Sequence, residues 1–226
     1  MKTITLAMLS AALFMSACAD PSANKPKAQV SENRNDATNT AAPQTGTSGL
    51  NVLDGYKPAG TELTISPETS KVEFTGSKVT GKHDGGFKKF MGVIDLVGDK
   101  PETSKVLFEI EMNSVFTDTD GVTKHLQTAD FFDVEKYPKA SFSSTSITAL
   151  PNGADNYSVT GDMTIHGTKR SITFPATITN TTDLIAVTAE FSINRKDFGI
   201  AYAGKTDDLI RDDVVLRLDL KAPKKK

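Results

Sequence analysis

The chain has 226 residues, 38% hydrophobic and 24% charged, enough apolar content for one globular domain or a tight pair. Its net charge of −2, with no basic cluster inside the body of the chain, argues against nucleic acid as a partner. The closing run Lys224-Lys225-Lys226 is too short to hold anionic lipid by charge and reads as a solvated end.

At the N-terminus, Met1 and Lys2 make a short positive start, and Ile4 to Phe14 form an apolar run broken only by Thr5 and Ser10. Small residues follow. This is the three-part layout of a secretory signal peptide, too short to span a bilayer as a stable helix. Met15-Ser16-Ala17-Cys18 resembles the bacterial lipobox, in which cleavage leaves a lipidated cysteine at the new terminus; the motif prefers Leu where Met15 stands. Cys18 is the only cysteine, so it has no disulfide partner within the chain. We therefore expect a signal peptide over residues 1–17 and lipidation at Cys18, which would anchor the chain to a membrane through several acyl chains. Asp20 would be the third mature residue, not the second position that marks many lipoproteins retained in the inner membrane. The expected place is the periplasmic side of the outer membrane.

Residues 18–49 are rich in Ala, Asn, Thr, Ser, Pro and Gly, and Val30 is their one large aliphatic side chain. Such a segment buries too little to offset its conformational entropy and is expected to be a flexible linker. Its reach would be roughly 30 Å, from ~5–6 Å × √n.

Residues 50–226 form the folded domain, and period two runs through it. Val72 and Phe74 alternate with Lys71, Glu73 and Thr75. The same pattern returns in residues 90–97, 106–112, 157–165, 172–178, 185–193 and 214–220, each with one apolar face. Turn signals separate them: Gly98-Asp99-Lys100-Pro101, Pro151-Asn152-Gly153, His166-Gly167 and Asn180 to Asp183. A helical turn or short helix is expected between Phe116 and Tyr137, where Leu126, Ala129 and Phe131 are spaced to lie across one end of a sheet. The fold class is all-β, with about eight or nine strands and short connections. Its closure, as a sandwich or as a barrel, stays open on periodicity alone. Gly92, Gly161, Ala176 and Ala189 remove volume beside large aromatics, which suits either a tapered lumen or a jigsaw core.

Several ordered stretches carry a family resemblance. They are Phe74-Thr75-Gly76-Ser77-Lys78-Val79, His83-Asp84-Gly85-Gly86-Phe87, and His125-Leu126-Gln127-Thr128-Ala129-Asp130-Phe131-Phe132-Asp133. Further on come Thr164-Ile165-His166-Gly167, Arg195-Lys196-Asp197-Phe198-Gly199-Ile200 and Asp213-Val214-Val215-Leu216. From about Thr61 to Leu220 the chain resembles the YceI-like family, described as polyisoprenoid-binding and lipocalin-like; Thr128 stands where that family usually has Ser. The resemblance implies an extended antiparallel lipocalin-like β-barrel of about eight strands, with a short helical segment near one end. It implies a lumen that takes a polyisoprenoid or fatty-acid-like amphiphile, for transport, storage or sequestration. The inward phase of each strand then supplies the candidate lumen residues Phe74, Phe90, Ile94, Phe108, Ile110, Met112, Phe142, Met163, Ile165, Phe174, Phe191 and Ile193. Phe131 and Phe132 would line the mouth. The alternative is a structural or stress-response envelope protein with a packed barrel and no ligand.

Polar residues add little chemistry. His83, His125 and His166 are far apart and make no metal-ligand spacing, so no metal site is expected. There is no Gly-x-Ser-x-Gly elbow, dinucleotide fingerprint or P-loop, so neither an enzyme nor a cofactor is expected. His125 and Asp130 stand five apart and are expected to fix the segment between Phe116 and Tyr137. Arg195 is expected to pair with Asp197 or with the loop backbone. A contact from His125 or Arg195 to a ligand head group is the minority reading.

Overall fold

The computed structural model describes residues 19–32, 52–151 and 154–224. Its wall is an antiparallel meander in which three long strands bend sharply. β2 (Thr61–Ile65) turns into β3 (Lys71–Lys78), and β4 (Gly81–Phe87) into β5 (Phe90–Leu96). β6 (Lys105–Glu111) passes through a single 3₁₀ turn into β7 (Val115–Thr117). β8 (Lys139–Ala149), β9 (Tyr157–Ile165), β10 (Thr168–Asn180) and β11 (Leu184–Asn194) follow. A small hairpin of β12 (Gly204–Lys205) and β13 (Asp208–Leu209) precedes β14 (Asp213–Pro223). β14 pairs back onto β3 in the register Leu216 opposite Phe74, so the sheet curls round on itself as a lipocalin-like barrel. Closure removes most of the unpaired strand edge that an open sheet would leave.

Local chemistry explains the turns. β9 and β10 are joined by His166 (φ 50°) and Gly167 (φ 70°), the left-handed pair that a two-residue hairpin of matching twist requires. The 3₁₀ turn Arg195–Phe198 ends at Gly199 with φ 79°. The short helix α1 (Asp120–Leu126) has Asp120 in its first turn and Lys124 and His125 in its last, matching the helix dipole.

Side chains of the inward phase make the core. Phe174 stacks on Phe191 with ring centroids 4.2 Å apart, and Phe142 lies 5.8 Å from Phe174. Two glycines make room for rings: a Cβ at Gly161 would lie 2.4 Å from the Phe142 ring, and one at Gly92 would lie 2.5 Å from the Phe108 ring. The small positions therefore seat aromatics against the wall.

Asp95 lies on the outer face of β5 yet is almost wholly buried, because the chain before β2 folds over it. Its carboxylate accepts from the Tyr56 hydroxyl at 2.6 Å and from the backbone N–H groups of Ala59 (2.9 Å) and Gly60 (2.7 Å). Burial pushes its pKa up, but these three donors outweigh burial and hold it below the ordinary value. The Tyr56 hydroxyl is pushed up to about 12 by burial and by the adjacent carboxylate. A depressed carboxyl pKa adds stability that is present above the unfolded value, about 3.9, and is lost as pH falls through the folded value. Asp95→Asn is expected to cost about 2 kcal/mol at neutral pH. It should also remove part of the acid sensitivity below about pH 4, both read from urea unfolding across pH.

The segment expected to be a loose linker is not loose throughout. Over residues 171–173, β10 is paired on its far side with β1 (Gln29–Ser31), in the register Val30 opposite Ile172. β10 and β11 are paired only from Thr177–Asn180 to Ile185–Thr188. Beyond that they part, and residues 26–31 fill the seam: Ser192 donates to the Pro26 carbonyl and accepts from the Ala28 N–H, both at 2.8 Å. Ala28 is buried, and Val30 packs against the core. The reason is backbone, not composition: diverging strands leave unpaired donors and acceptors that an extended polar segment can satisfy. Ala28→Asp is expected to cost about 1–2 kcal/mol, limited because the segment can detach. Hydrogen exchange should then speed up at residues 171–173 and at Ser192, with the rest of the wall unchanged. The expected signal peptide over residues 1–17, Cys18 and residues 33–51 lie outside the described residues.

Candidate functional site: an apolar cavity along the barrel

The meander encloses a cavity of about 230 Å³. From β3, β5 and β6 the wall takes Phe74, Gly76, Ile94, Phe108 and Ile110, with Met112 just beyond β6. Phe142, Met163, Ile165, Phe174, Phe191 and Ile193 follow from β8 to β11, and Phe131 and Phe132 come from the segment after α1. Phe90, a lumen candidate on periodicity, is not on this wall; it is buried and stacked on Phe108, centroids 5.3 Å apart, with its ring used in packing. β14 adds Val214, Leu216, Leu218 and Leu220 in strict alternation. Ser141, Arg195 and Arg211 are the polar residues on the wall.

Two excursions cap the end of the barrel where β8, β10 and β14 begin. The first, residues 118–138, carries α1 and contributes Leu126, Phe131 and Phe132 to the wall. It is held by backbone bonds from Phe132 to Leu126 (3.0 Å) and from Val134 to Gln127 (3.1 Å). His125 belongs to this scaffold and is not on the cavity wall. Its Nε2 lies 2.8 Å from Asp130, and its ring meets Phe131 and Tyr202 edge-on at 4.9 and 5.1 Å.

The second excursion, residues 195–212, contributes Phe198, Ile200 and Ile210, which the strand pattern did not single out. The buried Arg195 organises it. Its guanidinium donates to the carbonyls of Arg211 (3.1 Å), Ile200 (2.8 Å) and Ile210 (3.4 Å) and to Asp212 Oδ1 (3.1 Å). The expected pairing with the loop backbone is thus present, but the acidic partner is Asp212 and not Asp197. Burial lowers the Arg195 pKa, and Asp212 opposes that shift. Because its donors point at fixed carbonyls, Arg195 is committed to shaping this end of the cavity.

The cavity can hold hydrocarbon. An apolar void of about 150 Å³ stays dry and takes small aromatic guests, and this one is larger at about 230 Å³. Among the described residues no cluster of three or more His, Cys, Asp or Glu could hold a metal ion.

A curled antiparallel barrel around an apolar cavity, with a short helix at one end, defines a lipocalin-like architecture. The chain belongs to the YceI-like domain family, whose model matches residues 63–222. A UPF0312 protein of Pseudomonas putida is 35% identical over 136 residues, covering 58% of this chain and 70% of the relative. Two solved structures share the fold. Burkholderia cenocepacia BcnA superposes with a TM-score of 0.62 at 24% identity, covering 70% of this chain and 99% of that one. A polyisoprenoid binding domain from Saccharophagus degradans gives a TM-score of 0.58 at 17% identity, covering 73% and 100%. The matched family span begins after β1, so the seam-filling segment lies outside it.

Proposed function

We propose that this chain is a cell-envelope lipoprotein that binds a long apolar amphiphile, polyisoprenoid or fatty-acid-like, in the barrel cavity for transport, storage or sequestration. The observation that carries the reading is the cavity itself: about 230 Å³ of open space between apolar side chains contributed by β2 to β6, β8 to β11 and β14. Each methylene moved from water into such a lumen gains about 0.8 kcal/mol, so a long chain binds tightly with few polar contacts. The polyisoprenoid binding domain that shares the fold supports the ligand class. In this reading the signal peptide directs export, and acylated Cys18 holds the barrel on the periplasmic side of the outer membrane. Binding, with no catalysis, is its whole chemistry.

A fatty-acid probe whose fluorescence rises in apolar surroundings tests the reading. The delipidated chain should brighten it saturably, one probe per barrel, and polyprenol should displace it while a short-chain alcohol should not. Failure to brighten the probe after delipidation would count against an accessible lumen and would favour a filled core.

A further inference from the structure

The structure assigns the capped end of the barrel a second role: we propose that its rim, formed by Val79 and Leu209, rests in a lipid bilayer and turns the cavity towards the membrane. The inference deepens the apolar-ligand reading and rests on it. Four large apolar residues are exposed among the described residues, and two of them meet here. Val79, in the turn between β3 and β4, is 54% exposed, and Leu209, in the β12–β13 hairpin, is 49% exposed. The Val79 N–H donates to the Leu209 carbonyl at 3.2 Å, so the two side chains belong to one tip.

What covers the tip follows from the residues beside it. Leu209, Ile210 and Arg211 are consecutive. Leu209 points out, whereas Ile210 and Arg211 stand on the cavity wall. Arg211 also holds Asp20, its Nη1 lying 3.1 Å from the carboxylate. Asp20 is therefore held beside this rim. From Asp20 the chain runs back over the outer wall, tied by Lys25–Glu190 (2.6 Å), and enters the seam at Pro26–Ser31, where Lys27 pairs with Asp213 (2.8 Å). On the lipoprotein reading, an acyl anchor on Cys18 would stand two residues along the chain from the Asp20 held here, with no long tether between them. Asp208, next to Leu209, is paired with Lys78 and with the Thr80 hydroxyl, and the exposed Asp207 shares the hairpin with the exposed Lys205. Two apolar side chains alone bind a bilayer weakly. Beside an anchor their insertion becomes an intramolecular step with a high effective concentration.

The chain contains no tryptophan, so one introduced residue reports alone. Full-length chains carrying Val79→Trp or Leu209→Trp would be purified from membranes and bound to phosphatidylcholine–phosphatidylglycerol vesicles with brominated acyl chains. Met91→Trp and Leu150→Trp, at the other two exposed apolar positions, are the controls. The rim tryptophans are expected to shift to the blue and lose about half their emission, as side chains inserted ~5–10 Å into the interface do; the controls should keep theirs. Equal emission at all four positions, or quenching at Leu150→Trp instead, overturns the orientation. Extracting lipid from the same preparations separates the two claims. Retained amphiphile without rim quenching overturns the orientation alone. Rim quenching over an empty, inaccessible lumen leaves the orientation standing and removes the binding reading.

Discussion

Gly76→Phe is expected to abolish ligand retention while leaving the barrel folded. Gly76 is on the cavity wall in the inward phase of β3 with Val72 and Phe74, and a Cβ there meets nothing within 4 Å. The new ring therefore projects into open space instead of forcing the wall apart. Excluding about four methylenes of a bound chain forfeits about 3 kcal/mol, a loss of more than about 100-fold in affinity. Stability should hold or rise by about 1 kcal/mol, since the ring buries surface and a strand glycine is lost. Probe titration and urea unfolding on one preparation read both quantities. A variant that folds less well and still binds would mean that Gly76 faces a packed core.

Arg195→Met is expected to be the most damaging single change to stability among those considered, at about 3–5 kcal/mol. It leaves the carbonyls of Ile200, Ile210 and Arg211 without their donor around a buried site, while the partly exposed Asp212 loses that partner and keeps Lys196. Arg195→Lys should rescue little, because an ammonium is a point donor and cannot span carbonyls arranged for a planar fork. Hydrogen exchange should show the loss first in residues 198–211. If Arg195 served a ligand head group instead, the Met variant would keep its stability and lose only binding. The two outcomes separate in one urea titration and one probe titration.

The strands legible in the sequence were those with one buried face. Residues 157–165 and 185–193 alternate cleanly because the inner phase packs against other strands and the outer phase meets water. They coincide with β9 and β11. β4 was not legible as a strand, because Gly-Lys-His-Asp-Gly-Gly-Phe has no apolar alternation. Its glycines are there for clearance: a Cβ on Gly85 would lie 2.4 Å from the Phe116 carbonyl, and one on Gly86 would lie 2.7 Å from that of Val72. β1 was hidden for a different reason. Its pairing is satisfied by backbone atoms and by Ala28, a residue too small to mark a burial pattern.

The cavity was legible in part. Inward phase alone picks out Phe74, Phe108 and Phe191, which line the cavity, but cannot separate a wall ring from a packed one, as Phe90 shows. Phe198, Ile200 and Ile210 belong to an excursion without period, and their place depends on Arg195 pulling that excursion over the end of the barrel. The apolar cluster Phe198-Gly199-Ile200 beside an arginine was the available signal. Charge in the surrounding loop masked it.

Native mass spectrometry of the full chain, purified from membranes without delipidation, bears most directly on the central claim. One amphiphile per barrel is expected, released by organic extraction and missing from Gly76→Phe prepared alongside. A ligand-free mass for the wild-type chain, together with no uptake of added polyprenol or fatty acid, would contradict it.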